Sequence, residues 1–200
     1  MALQRALDQA LVGQCRPHRA GADLPGACAE VGELLALGAS PNAVDQETGH
    51  VDRVHGRSTL SIAACEGYYP IVKLLVDHKA DVNQADPRDG ERPLDRCCYK
   101  HLGPYDEIVA LLLHHGAAYG VDWMRRERSR ENELFPTALH KAANEDRPET
   151  FRMLLERGHD PLARNLHNKT PAQCALDTPQ YEALVEVSLS LGLALGWFNA

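Results

Sequence analysis

The fold is decided by the stretch Val72-Lys73-Leu74-Leu75-Val76-Asp77-His78-Lys79-Ala80-Asp81-Val82-Asn83. It reads as the apolar end of a helix, followed by a small residue and a turn. The same pattern recurs in three other segments of the chain, at residues 31–42, 109–118 and 151–162. Because four segments align in register, the sequence predicts an internal repeat.

The turn that follows each of these helices has its own residue preference. Gly38, Gly116 and Gly158 stand where the end of a helix requires a left-handed backbone, which glycine adopts without steric cost. Lys79 occupies this position in the stretch quoted above. We therefore expect slight backbone strain at Lys79.

A second short helix precedes the apolar helix in each unit. A hydroxyl residue at the N-cap followed by proline is a helix start, and it is clearest at Thr170-Pro171. Ser58 and Thr137 stand at the corresponding positions of two other units. The small residues that follow them allow close packing, so we expect helices to begin near Ser58, Thr137 and Thr170.

Together these two elements resemble the ankyrin repeat, whose motif is G-x-T-P-L-H-x-A-A-x-x-G followed by an outer helix and G-A-D-V-N. Residues 56–67, 79–83 and 137–143 carry the motif best. The resemblance implies an all-α ankyrin-repeat solenoid of about five stacked helix-turn-helix units. The third unit lacks the threonine and the fifth lacks the leucine and histidine, so we expect their inner helices to be less regular.

The resemblance also sets the expected domain organisation, a single ankyrin-repeat domain over residues 1–200. Residues 1–42 form an N-terminal capping unit, residues 43–83, 84–120 and 121–163 are central units, and residues 164–200 form a C-terminal capping unit. We expect the last helix to close the apolar face through five side chains, namely Leu184, Val185, Val187, Leu189 and Leu191.

Two finger loops are longer than the family spacing of about 12 positions between turn and helix start. Gly38 to Ser58 takes 20 positions and Gly116 to Thr137 takes 21. Insertions in a stacked repeat go to loops, and long loops are often functional. The candidate partner-binding residues of the two elongated fingers are His50, Arg53, His55, Trp123, Arg125, Arg126, Arg128 and Arg130. The alternative is that both fingers are solvated loops, with Trp123 folded back on its own unit.

The positions after the small pair of each inner helix are expected to be exposed. In the ankyrin family this concave face, together with the finger tips, is the usual binding surface. The residues at these positions are Cys65, Glu66, Tyr99, Lys100, Asn144, Glu145, Asp177 and Thr178. Of these, Glu66, Tyr99, Lys100, Asn144 and Glu145 are the candidate binding residues, and the alternative is that they are merely solvated.

The cysteines and histidines have structural roles that compete with metal or catalytic ones. Cys97 and Cys98 with His101 suggest a metal site, but both cysteines align with the small residues of the inner helix, which favours core packing. His140 stands at the position of the motif histidine. The resemblance implies that its ring bridges backbone groups between turns. No nucleophile has a base and an acidic partner at a known spacing. We therefore expect no metal, no cofactor and no enzymatic activity.

Composition limits the class of partner. The net charge of −7 argues against nucleic-acid binding, and no stretch is long and apolar enough to serve as an export signal or a membrane span. We expect reduced cysteines in a cytoplasmic monomer that binds another protein, with a basic partner favoured by charge. An adaptor or scaffold is the leading function, a stoichiometric inhibitor or immunity-type protein is the main alternative, and an enzyme subunit and a purely structural role are the others.

Overall fold

A computed structural model describes residues 2–15, 24–45, 56–87, 90–98, 105–118, 137–145, 147–165, 167–175 and 181–190. These residues form helices, turns and an isolated antiparallel bridge between Val44 and Ser58. None of the described helices has the length and apolar character needed to cross a membrane. The helices are α1 (Ala2–Cys15), α2 (Leu24–Ala36), α3 (Thr59–Glu66), α4 (Tyr69–Asp77), α5 (Pro93–Cys97), α6 (Tyr105–His114), α7 (Ala138–Asn144), α8 (Pro148–Glu156), α9 (Pro171–Cys174) and α10 (Tyr181–Ser190).

The first compact unit covers residues 1–97 and 102–120 and contains α1 to α6. Each inner helix packs against its own outer helix: α1 on α2, α3 on α4 and α5 on α6. The inner helices also stack on one another in chain order, as do the outer helices. The core between these layers includes the fully buried side chains of Leu60, Ile71, Leu75, Leu94 and Ile108. This is the arrangement that the repeat predicted.

The second compact unit covers residues 98–101 and 121–200 and contains α7 to α10. Its inner helices α7 and α9 stack together, and α10 packs against both α8 and α9. Leu139, Leu154 and Leu184 are fully buried, and Phe151 is 2% exposed. Leu184 therefore packs in the core as expected of the last helix, whereas the side chain of Leu189 and the whole of Leu191 lie outside what the structure describes.

The helix starts lie where the hydroxyl residues predicted them. The hydroxyl of Ser58 accepts a hydrogen bond from the backbone N–H of Ser61, and the hydroxyl of Thr137 accepts one from His140. Thr170 forms a full capping box, in which the amide oxygen of Gln173 accepts a bond from the backbone N–H of Thr170. These bonds satisfy N–H groups that the first turn of a helix leaves without a partner.

The turns that follow the outer helices also agree with expectation. Gly38, Gly116 and Gly158 have φ angles of 96°, 81° and 81°. Lys79 has a φ of 67°, so a side chain with a Cβ is held in the left-handed region. The strain predicted at Lys79 is therefore present.

The third unit replaces the missing N-cap hydroxyl in another way. Asp95 lies in the first turn of α5, and its carboxylate accepts a hydrogen bond of 2.8 Å from the backbone N–H of Arg92. This is the acidic half of a capping box. The described parts of α5 and α9 have 5 and 4 residues, against 8 in α3. The described inner helices of the third and fifth units are thus shorter than that of the second.

The cysteines serve packing. Cys97 and Cys98 are fully buried, and the thiol of Cys97 donates a hydrogen bond to the carbonyl of Pro93 at 3.2 Å. All six cysteines are free thiols. Among the described residues, no group of three or more histidine, cysteine or acidic side chains is arranged to hold a metal ion. The core-packing interpretation of Cys97 and Cys98 is therefore the one that the fold supports.

Candidate protein-binding surface

The inner-helix ends carry the candidate binding residues that the structure describes. Glu66 is the last residue of α3, and it is half-buried. Asn144 ends α7, and its amide donates a hydrogen bond of 3.0 Å to the carboxylate of Glu145, the C-cap residue. Glu66 and Glu145 are each half-buried at the end of an inner helix.

The other predicted binding residues cannot be placed in the fold. They lie outside the described residues, and they are His50, Arg53, His55, Tyr99, Lys100, Trp123, Arg125, Arg126, Arg128 and Arg130. The structure therefore brings together only the sequence neighbours Asn144 and Glu145, and the fingers remain a prediction.

Cys65 was expected to be exposed beside Glu66, and this expectation is wrong. Cys65 is only 7% exposed. The phenol of Tyr105, at the start of α6, donates a hydrogen bond of 3.0 Å to the carbonyl of Cys65. The same ring lies against Gly67, where a Cβ would come within 3.2 Å of it. The next repeat thus covers this end of α3.

Tyr68 belongs to the surface beside Glu66 but was not predicted from the sequence. Partial burial, and then the nearby Glu66 carboxylate, raises the pKa of the Tyr68 phenol. The phenol therefore stays protonated and remains a hydrogen-bond donor at neutral pH. The signal that was available is the motif register, because Tyr68 directly follows Gly67, the glycine that ends the inner helix.

The base of the first finger is ordered by backbone pairing. The N–H of Asp45 donates to the carbonyl of Arg57 at 2.9 Å, and the N–H of Gly56 donates to the carbonyl of Asp45 at 2.7 Å. The next pair inward is the bridge between Val44 and Ser58. The described base of the first finger is therefore an antiparallel pair of chain segments.

A buried cluster of charges lies at the base of this finger and of the next. Arg96 on α5 contacts Asp86 at 2.9 Å and Glu91 at 2.8 Å, while Arg57 contacts Asp86 at 3.4 Å. The side chains of Arg96 and Asp86 are 3% and 2% exposed. We call these four residues the charge cluster. One signal for it was present, since Arg57 and Glu91 each stand directly before a helix-starting position.

Asparagine side chains connect successive turns in the first unit. The side-chain oxygen of Asn42 accepts a bond of 2.6 Å from the N–H of Asp81. Asn83 stands at the same register one unit later, where it accepts from the N–H of Ala118 at 2.7 Å and donates to the carbonyl of Gly116 at 3.1 Å. These bonds hold neighbouring turns in a fixed spacing.

The buried titratable groups have structural roles. Burial lowers the pKa of His140, and its ring is held by the hydroxyl of Thr137 at 2.8 Å and the carbonyl of Lys169 at 3.1 Å. Burial, assisted by the neighbouring Cys28, raises the pKa of Cys15 to about 12, so the thiol stays protonated. A neutral imidazole with both nitrogens engaged is a packing element, and a protonated buried thiol is a poor nucleophile.

Comparisons with known proteins agree with the repeat. Residues 26–122 match the family described as "Ankyrin repeats (3 copies)", and residues 137–166 match a further "Ankyrin repeat". Among curated proteins, a Transient receptor potential cation channel subfamily A member 1 homolog of Caenorhabditis elegans is 32% identical over 62% of this chain and 9% of its own length. The B-cell lymphoma 3 protein homolog of Mus musculus is 28% identical over 72% of this chain and 29% of its own length.

A third relative has the same character. The Transient receptor potential channel pyrexia of Drosophila melanogaster is 28% identical over 71% of this chain and 13% of its own length. The chain thus spans less than a third of each of these relatives. What they share with it is the repeat region.

Proposed function

Because this chain belongs to the ankyrin-repeat family, we propose that it binds a partner protein through its inner-helix face and its long finger loops, as an adaptor or scaffold. Ankyrin repeats are protein-interaction modules. The observation that carries the proposal is the surface at the end of α3, where the half-buried Glu66 and Tyr68 stand beside a tightly bonded framework.

That framework supports binding because it is rigid before a partner arrives. Tyr105 covers the end of α3, and the charge cluster and the bond from Asn42 fix the neighbouring turns. A surface that is already ordered loses little conformational entropy when it docks. Glu66 and Tyr68 are therefore presented in a nearly fixed geometry.

The chemistry of this surface favours a basic partner. Glu66 offers a carboxylate and Tyr68 offers an aromatic ring and a phenol, which together suit a lysine or arginine side chain. The net charge of −7 attracts a basic protein at long range.

The fingers enter the proposal on their sequence. Trp123 and the four arginines between positions 125 and 130 are residue types that anchor interfaces. Replacement of residues 121–134 by a short family-like turn is expected to leave the melting temperature nearly unchanged while weakening partner binding about tenfold or more. If the shortened protein binds as tightly as the parent, the second finger is not part of the contact.

The test begins with capture of the partner from native lysate, its identification, and calorimetry with the purified pair. Glu66→Lys is expected to weaken binding about tenfold or more, whereas Glu107→Lys, on the exposed side of α6, is the matched charge reversal and should change it little. Equal weakening by both variants would place the contact elsewhere. An assay of the partner's own activity, with and without this protein, separates an adaptor from an inhibitor.

The proposed compartment is the cytoplasm. Six free cysteines fit a reducing environment better than an oxidising one. Labelling of the protein in intact cells, followed by fractionation, tests this.

A further inference from the structure

The bonds that close the base of the first finger recur one repeat later. The backbone N–H of Asp86 donates to the carbonyl of Glu91 at 2.8 Å, and the N–H of Gly90 donates to the carbonyl of Asp86 at 2.8 Å. Asp45 makes the same two kinds of bond in the first finger, where its N–H donates and its carbonyl accepts. We call the loop between Asp86 and Glu91 the short finger.

The bases of the first finger and of the short finger touch one another. Arg57 forms an ion pair with Asp86 at 3.4 Å, and the two side chains are 14% and 2% exposed. A Cβ added to Gly56 would lie 3.3 Å from the Cγ atom of Pro87. The backbone of the first finger therefore lies directly against the residue that follows Asp86.

Asp86 belongs to both contacts and is the joint between them. Its backbone closes the short finger, while its carboxylate accepts a hydrogen bond of 2.9 Å from Arg96 and faces Arg57. A buried carboxylate is stable only while its guanidinium partners stay in place. If Arg57 moved away with the first finger, the free energy of the closed short finger would therefore rise.

The same dependence acts in the other direction. Opening of the short finger would carry Asp86 away from Arg57 and would remove Pro87 from Gly56. Surface loops ordinarily open one at a time, because local unfolding involves few residues. Two loops that share a buried ion pair do not have this independence, since each one stabilises the closed form of the other.

We propose that the first finger and the short finger open and close as one unit, and that Asp86 is the positioning residue that joins them. Coupling between two loops requires an element whose equilibrium both of them bias, and the pair of Arg57 and Asp86 is that element. For the binding function proposed above, on which this consequence alone rests, a partner that holds one finger also holds the other.

The experiment measures amide hydrogen exchange by NMR on the full 200-residue chain without a partner. Arg57→Met alters the first finger, and the reporter is the N–H of Gly90 in the short finger, which is distant in sequence from the substitution. Its exchange rate is expected to rise at least about tenfold relative to that of Val72 in α4. Arg57→Lys keeps the charge and should give a smaller rise.

The reverse experiment alters the short finger and observes the first. Asp86→Asn is expected to raise the exchange rate of the N–H of Gly56 at least about tenfold relative to Val72. Since Arg57 and Asp86 act through one contact, the double variant should add little to either single variant. Lys73→Met breaks an ion pair that is exposed in solvent and should leave both reporters unchanged.

The ratio to Val72 separates local opening from a general loss of stability. The proposal is overturned if Gly90 exchanges at the parent rate in Arg57→Met, or if Val72 accelerates as much as Gly90. If Asp86→Asn does not fold, the comparison of Arg57→Met with Arg57→Lys decides alone. Coupled exchange in a chain that binds no partner would refute the proposed function and leave this inference standing.

Discussion

The charge cluster makes the most quantitative prediction about stability. Arg96 lies between Asp86 and Glu91, at 2.9 Å and 2.8 Å, and its side chain is 3% exposed. Arg96→Met keeps the volume but removes the guanidinium that lies between the carboxylates of Asp86 and Glu91. Removal of one partner from a buried ion pair costs about 3–5 kcal/mol. In a protein of this size that corresponds to a melting temperature lower by about 6–20 °C.

The assay is urea denaturation followed by circular dichroism, with an exposed pair as the control. Lys73 and Asp77 form an ion pair at 3.0 Å whose side chains are 55% and 50% exposed. Lys73→Met is expected to leave the midpoint within error, because solvent screens such pairs. Arg96→Lys keeps the positive charge but not the forked geometry, so it should fall between Arg96→Met and the parent. The reasoning is refuted if Arg96→Met and Lys73→Met shift the midpoint equally.

Three further predictions test the core. Cys97→Ser buries a hydroxyl in an apolar slot and should lower the free energy of unfolding by about 1–3 kcal/mol, while a chelator should leave the melting temperature unchanged; a stoichiometric zinc signal would contradict this. Burial lowers the pKa of His140 in the folded protein. The stability that the neutral imidazole contributes is therefore complete above the unfolded pKa of about 6.5 and is lost as the pH falls from there through the folded pKa. Denaturation of the parent and of His140→Gln at pH 5 and pH 7.5 should show a weaker pH dependence in the variant. Truncation after Ala183 removes Leu184, which is fully buried, and should cost at least about 2 kcal/mol or cause aggregation, whereas soluble protein with unchanged calorimetric melting would show that α10 is dispensable.

Local rules made most of the fold predictable. A hydroxyl before a helix finds its N–H partner within three residues, as Ser58, Thr137 and Thr170 do. The left-handed turn after an outer helix depends on a single residue, so even the unusual Lys79 was predictable. Such features need no knowledge of distant residues, and the repeat then fixes which helix packs on which.

The features that sequence reasoning missed depend on contacts between repeats. Cys65 seemed exposed by register, but Tyr105, forty residues later in the chain, covers it. The charge cluster joins Arg57, Asp86 and Arg96 from three segments, and apart from the position of Arg57 before a helix start, no periodic pattern marks Asp86 or Arg96 as charges that turn inward. The binding residues of the fingers stay predictions, because the inserted residues have no counterpart in the repeat from which the rest of the fold was predicted.

Buried ions give the charge cluster a property that apolar side chains of the same size would not give it. Apolar contacts tolerate small changes in position, whereas a buried guanidinium is stable only when its carboxylates lie in the correct direction and distance. Arg57 stands at the base of the first finger, Asp86 and Glu91 belong to the next finger, and Arg96 lies on α5. A shift of either finger base would leave a buried charge without its partner. We therefore expect the cluster to select one arrangement of the finger bases.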